Sequence, residues 1–171
     1  MAKPTLIYKI AILELLNKSD FPLSNSQISN FFLEKGYTDY FSTQQAISDD
    51  EEAGLIESTL HHNNTTYALT EEGANTLELF RNKLNSSIVN DISRYMCENG
   101  IQMKEENSYL ATYTESPNGG YTIQCKISDG DVSTLDLSLH VGSKAMAETI
   151  CNNWKVRSDD VYAALMDILV Q

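Results

Sequence analysis

Five neutral hydrogen-bonding side chains, Ser42, Thr43, Gln44, Gln45 and Ser48, fall within one short stretch. At the N-terminal end of a helix lying in the major groove of DNA, such residues meet base edges. A glutamine amide bonds adenine at two points, and Ser or Thr hydroxyls bond bases or phosphates. A second polar run, His61, His62, Asn63, Asn64 and Thr65, reads as a loop beside it. There the amides and the Thr hydroxyl offer neutral donors to phosphate, and the histidines are weak cations. Lys18 and Lys35 are the cations expected to assist them. No other grouping carries chemistry. Adjacent histidines do not share a helix face, and no third ligand accompanies them, so no metal is expected. Cys97, Cys125 and Cys151 form no CxxC pair and read as ordinary thiols in a reducing compartment. There is no nucleophile–base arrangement, no phosphate loop and no carboxylate pair tied to a turn. No catalytic residue and no cofactor is expected, and the chain does not read as an enzyme.

Charge opposes the nucleic-acid chemistry. The 171 residues contain 24 acids and 12 bases, a net charge of −12. Residues 1–97 hold 7 bases and 13 acids, and residues 98–171 hold 5 and 11, so neither half is basic. Residues 36–80 contain no Lys or Arg, and the third helix carries Asp49, Asp50, Glu51 and Glu52. DNA-binding proteins gain much of their affinity from cations at phosphates. A case for DNA must therefore come from pattern. No segment has the length or hydropathy of a membrane span or of a signal peptide, so a cytoplasmic protein with no membrane partner is expected.

The elements that must position these residues follow from periodicity. Pro4 opens a helix with Leu6, Ile7, Ile10, Leu13 and Leu16 at helical spacing, ending near Ser19. Ser24 to Gln27 has capping-box form and starts a second helix, closed by Lys35-Gly36. Ser42 to Gln45 has the same form and predicts a third helix through about Ala53, closed by Gly54. Leu55 to Ser58 and Thr66 to Leu69 read as a hairpin around the His-Asn loop. Thr70-Glu71-Glu72 caps a long fourth helix, with Leu77, Phe80, Leu84, Ile88, Ile92 and Tyr95 on one stripe, ending at Asn99-Gly100. Beyond it, Tyr109 to Tyr113, Tyr121 to Ile127 and Leu135 to Val141 alternate as an antiparallel meander with one buried face. Gly142-Ser143 starts a helix, and Ser158-Asp159-Asp160 is expected to cap another.

Three helices, a hairpin and a further helix is the order of a winged helix. Gln45-Ala46-Ile47-Ser48-Asp49-Asp50-Glu51-Glu52-Ala53-Gly54-Leu55-Ile56 resembles the recognition helix and first wing strand of many bacterial winged-helix regulators. Tyr67-Ala68-Leu69-Thr70-Glu71-Glu72-Gly73 resembles the second wing strand and the start of the next helix. One position departs: the residue four before the glycine is usually apolar, and here it is Asp50. More narrowly, Leu6-Ile7-Tyr8-Lys9-Ile10, Asp20-Phe21-Pro22-Leu23 and Tyr37-Thr38-Asp39-Tyr40-Phe41 look like a family of unknown function found in clostridia and related Firmicutes, over the whole chain. That resemblance implies a winged-helix N-terminal domain and an uncharacterised C-terminal domain.

The expected fold is α+β. A winged helix-turn-helix domain spans residues 1–84, the rest of a connecting helix spans 85–100, and residues 101–171 form a three-stranded antiparallel sheet with one or two helices. The expected function is a homodimeric DNA-binding transcription regulator, with the C-terminal part pairing subunits or sensing a ligand. The alternatives are a winged helix kept for contact with another protein, favoured by the acidic third helix, and a sensor of a small effector.

Overall fold

The computed structural model describes residues 3–61, 64–129 and 132–171, the side chain of His61 excepted. The described chain divides into two compact units, one made by residues up to 60 together with 64–104 and one containing residues 105–171.

The first unit is built around helix α1 (Pro4–Lys18). Every residue from Ile10 to Leu16 is buried, so the helix runs through the core instead of lying on it. The stripe expected from Leu6 onward is narrower than this, and Leu6 itself is exposed. A two-residue strand β1 (Leu23–Ser24), which alternation of side chains does not reveal, pairs antiparallel with β3 through Leu23↔Tyr67 and Ser24↔Thr66. Helix α2 (Asn25–Lys35) starts in the expected capping box. The Ser24 hydroxyl accepts from the Gln27 N–H at 3.2 Å, and Gln27 Oε1 accepts from the Ser24 N–H at 2.9 Å. Gly36 ends α2 at φ 68, the left-handed conformation that glycine adopts without strain. Helix α3 (Tyr40–Glu52) follows, then strands β2 (Ile56–His61) and β3 (Asn64–Leu69); the sheet order is β1-β3-β2.

Phe31 is the hub of the core. Its ring meets Phe32 at 5.2 Å, Tyr95 at 5.3 Å and Tyr37 at 5.9 Å between centroids. Edge and tilted contacts of this kind add to the area that aromatic rings bury.

The helix expected to run unbroken from Thr70 to Asn99 is two helices. Helix α4 (Glu71–Phe80) passes into a 3-10 turn (Arg81–Lys83), the chain extends at Leu84, and α5 (Ser86–Ser108) begins anew. Periodicity continues across the break because Leu77, Leu84, Ile88, Ile92 and Tyr95 all enter the same core. The break places Arg81 against α1, where its Nε and Nη2 lie 3.1 and 3.0 Å from Oε2 of Glu14. Glu14 is only 1% exposed, so the guanidinium is what makes its burial tolerable. Helix α5 also runs past Asn99-Gly100. Gln27 holds it there by donating to the Met103 carbonyl at 3.2 Å, while the Tyr95 hydroxyl donates to the Gln27 carbonyl at 3.1 Å.

The second unit is the expected meander with one helix. Strands β4 (Tyr109–Glu115), β5 (Tyr121–Asp129) and β6 (Val132–Val141) pair antiparallel in the order β4-β5-β6, with an irregularity at Ile127/Ser128. Gly119 and Gly120 turn the first hairpin at φ 90 and 75. Helix α6 (Lys144–Val170) covers one face of the sheet, and Ser143 caps it by accepting from the Met146 N–H. The second cap expected at Ser158 is absent. Ser158 is buried within α6, because Trp154, Ser158 and Val161 continue the sheet-facing side set by Ala147 and Cys151. Burial pushes the Cys125 thiol up to about 11 and raises that of Cys151 as well, so both behave as small apolar side chains. Cys97, in contrast, is exposed.

Two substitutions test this packing. A Cβ at Gly73, near the start of α4, would stand 1.9 Å from the carbonyl oxygen of Leu55. Gly73→Ala should therefore cost about 2–4 kcal/mol, against the small gain that alanine gives in an open helix. Arg81→Ala leaves a buried carboxylate to distant Lys18 alone, 3.9 Å away. Because Arg81 is itself half exposed and screened by water, the expected cost is about 2 kcal/mol, and Glu14→Gln in the same chain should recover part of it. Chemical denaturation of the single and double variants measures both.

Candidate functional site

The candidate face is built on α3, and its start differs from expectation. The helix begins two residues before Ser42, capped by Asp39, whose Oδ1 accepts from the Ser42 N–H at 2.7 Å. The apparent cap Ser42 therefore lies within the first turn and is half-buried. This shift decides which predicted residues reach solvent. Thr43 is fully buried and donates to the Asp39 carbonyl at 2.9 Å. Gln44 faces α2, where its Nε2 donates to Asn25 Oδ1 at 2.8 Å and Ser29 Oγ at 2.9 Å, and its Oε1 accepts from Asn25 Nδ2 at 2.7 Å. This side chain is a brace between the two helices rather than a surface donor.

Gln45 and Ser48 are exposed. With Phe41 and Glu52 they follow steps of four and three residues and so share one helix face. Phe41 is 82% exposed and Tyr40 is 50% exposed, with their rings in edge contact. These aromatics were missed in the sequence because they precede the apparent cap. The capping competence of Asp39 is the signal that would have found them.

Of the remaining predicted contacts, Lys18 is exposed at the end of α1 and Lys35 is half-buried at the end of α2. Asn64 and Thr65 are half-buried within β3 instead of lying in a loop. His62, Asn63 and the side chain of His61 lie outside the described residues. The structure thus brings Gln45 and Ser48 together on one exposed face and leaves Thr43 and Gln44 out of it.

The acidic end of α3 is organised residue by residue. Asp49 is held below the usual carboxylate range by its bond to Lys9, 2.7 Å away, and by the Gln45 amide, which donates at 2.8 Å. Asp39 is lowered by the backbone and hydroxyl of Ser42. Glu51 and Glu52 are exposed, and Glu51 accepts from the Ser58 hydroxyl of β2. Asp50 is the opposite case. It is 1% exposed and its Oδ2 has no hydrogen-bond partner among the described residues, so burial pushes it up to about 7 despite Lys9 nearby. The departure noted at the usually apolar position is therefore a carboxyl in the core.

The consequence for stability has a definite sign. Between about pH 4 and pH 7 the unfolded chain releases the Asp50 proton while the folded chain keeps it. Stability falls through that window by up to about 4 kcal/mol and levels off above it. Asp50→Asn removes the titration. The melting temperature of the variant relative to the native chain should rise from pH 5 to pH 8, and curves that stay parallel over that range would contradict the burial of a titrating carboxyl.

Comparison with known proteins gives a family without an activity. No curated protein and no solved structure matches the chain. A family model described as Domain of unknown function (DUF4364) matches residues 8–169, which spans both units. The chain belongs to this family of unknown function.

Proposed function

We propose that this chain is a DNA-binding transcription regulator of the winged helix-turn-helix class, working in the cytoplasm as a homodimer. The observation that carries the reading is the order of elements in the first unit. Helix α1, the short strand β1, the α2–α3 pair joined by a tight turn, and the β2–β3 hairpin leave one face of α3 open, with Gln45 and Ser48 on it. A helix in that position meets base edges through its N-terminal half, and Gln45 is the residue suited to adenine.

The acidic surface shapes the binding. Few cations are available to displace counterions, and each phosphate contact adds roughly 0.9 to the log–log salt slope. Affinity is therefore modest and its salt dependence shallow. Lys18 and Lys35 are the proposed phosphate contacts, and with the histidines at 61 and 62 as further weak cations binding is expected to strengthen below about pH 6.5, where an unperturbed imidazole gains charge.

A second reading is favoured by a specific observation. Phe41 and Tyr40 stand exposed at the head of α3, beside a face with no Lys or Arg between residues 36 and 80. Exposed aromatics with few cations suit another protein better than phosphates. The two readings separate by variant. Under the DNA reading, Gln45→Ala with Ser48→Ala reduces sequence preference more than total binding, and Gln44→Ala acts mainly on stability by removing the brace to α2. Under the protein reading, Phe41→Ala is the damaging change. Fluorescence anisotropy with random and genomic duplexes, at low and moderate salt and at pH 6 and 7.5, measures the first set. No binding at low salt and pH 6 by folded protein would leave the protein reading in place.

Self-association rests on a different surface from the stripe expected to supply it. Apart from Phe80, which is exposed, that stripe is taken up by the core of the first unit. The end of α6 instead exposes Ile168, Leu169 and Val170, each more than 70% exposed. Light scattering should give a dimer mass at tens of micromolar, and Ile168→Asp with Leu169→Asp should give a monomer with an unchanged circular-dichroism spectrum. A monomeric native chain would contradict the homodimer.

A further inference from the structure

The inner face of the second sheet is not evenly covered. Helix α6 packs mainly on β4 and β5 and touches β6, the edge strand opposite β4, only lightly. The apolar residues that β6 turns toward the helix are therefore left beside a cleft. Its volume is about 270 Å³. Leu137 and Leu139 form the sheet wall, and Ile150 and Trp154 form the helix wall. Cys125 and Val161 complete the apolar lining, and Asn153 and Arg157, one turn apart on α6 and both exposed, border the cleft at its rim.

We propose that this cleft binds a small amphipathic carboxylate, with its apolar body between β6 and α6 and its carboxylate on Arg157 and Asn153. Three observations carry this. First, the size is right. A dry apolar cavity of roughly 150 Å³ holds benzene, so this cleft accommodates a ring or branched chain with a short acidic tail. Second, both walls are apolar, aliphatic on the sheet and Ile150 with Trp154 on the helix, while Asn153 and Arg157 lie together on one flank of α6. That is the arrangement that fixes the orientation of an amphipathic ligand. Third, the charge is complementary. Among the described residues Arg157 pairs with Asp160 alone, at 3.4 Å, and both side chains are more than 70% exposed, so its guanidinium can turn to a carboxylate and bond it at two points. In a chain of net charge −12, the cation at this rim selects against cationic ligands of the same shape. The binding belongs to the second unit and does not depend on whether the first unit binds DNA.

Trp154 is the single tryptophan of the chain and lines the cleft, with its Nε1 donating to the Lys126 carbonyl at 3.1 Å. Its fluorescence therefore reports occupancy in the full-length protein. The probes are 3-phenylpropionate and octanoate, each beside its alcohol, 3-phenylpropan-1-ol and octan-1-ol. Saturable changes are expected with the carboxylates, and the alcohols should bind at least about tenfold more weakly. Arg157→Gln, at an exposed position, should erase the difference between acid and alcohol without altering the fold. Leu139→Phe should weaken both acids by filling the cleft. The proposal is overturned if no probe saturates up to about 10 mM, if acid and alcohol bind equally to the native chain, or if Arg157→Gln leaves the preference intact. It is also overturned if Leu139→Phe turns a native dimer into a monomer while no probe binds, which would place a second copy of the chain in the cleft.

Discussion

The carbonyl of Leu55 is the point on which the first unit turns. It accepts from the Thr70 N–H at 3.1 Å and lies 2.9 Å from the Thr70 hydroxyl, which also reaches the Gly54 carbonyl at 2.8 Å. The same hydroxyl accepts from the Gly73 N–H at 3.0 Å and so caps α4. The end of α3, the base of the hairpin and the start of α4 are thus joined through one threonine. The approach is close enough that only a residue without Cβ fits at position 73. Gly54, at φ 74, delivers the chain into this junction, and the Leu55 N–H closes back on the Asp50 carbonyl at 2.9 Å. The angle between α3 and the hairpin is set here, and with it whatever surface the two present to a partner.

Around this junction the fold uses polar side chains as internal ties, and that use governs the outer surface. Gln27 and Gln44 bond other elements of the unit and Thr43 bonds back to the cap of its own helix, while Asp50 is buried with an oxygen unpartnered among the described residues. A buried hydrogen-bonded amide fixes the relative position of two helices because breaking it strands donors in the core. The face of α3 left over combines two neutral donors, two aromatics and two carboxylates. Its recognition chemistry is therefore directional hydrogen bonding and aromatic contact, with little long-range attraction for phosphate.

Much of this was legible in the sequence. The capping box at Ser24, the left-handed Gly36, the meander and the Thr70 cap of α4 all rest on local rules and stand as read, and the hairpin stands with longer strands than expected. What was not legible depended on competition between local signals. Ser42 and Asp39 are both good caps, and the choice of Asp39 turned Thr43 and Gln44 inward. The break at Arg81 has no glycine or proline to mark it; its local signal is Asn85, which accepts from the Ile88 N–H at 2.9 Å and caps α5, while the ion pair it makes possible lies 67 residues away at Glu14. Ser158-Asp159-Asp160 has the composition of a cap, yet the sheet-facing stripe of α6 overrides it. The strand β1 is too short to show alternation at all. The cleft beside β6 arises from where α6 settles across the sheet, which no single segment encodes.

The proposed function rests on the open face of α3 meeting a DNA duplex. The most direct measurement is a backbone amide spectrum of the isotopically labelled chain, titrated with a random-sequence duplex at low salt. The account predicts shifts concentrated at Gln45, Ser48 and the first residues of β3, with the buried amides of α1 and those of the second sheet unmoved. A spectrum that does not change, or shifts confined to residues 105–171, would contradict it.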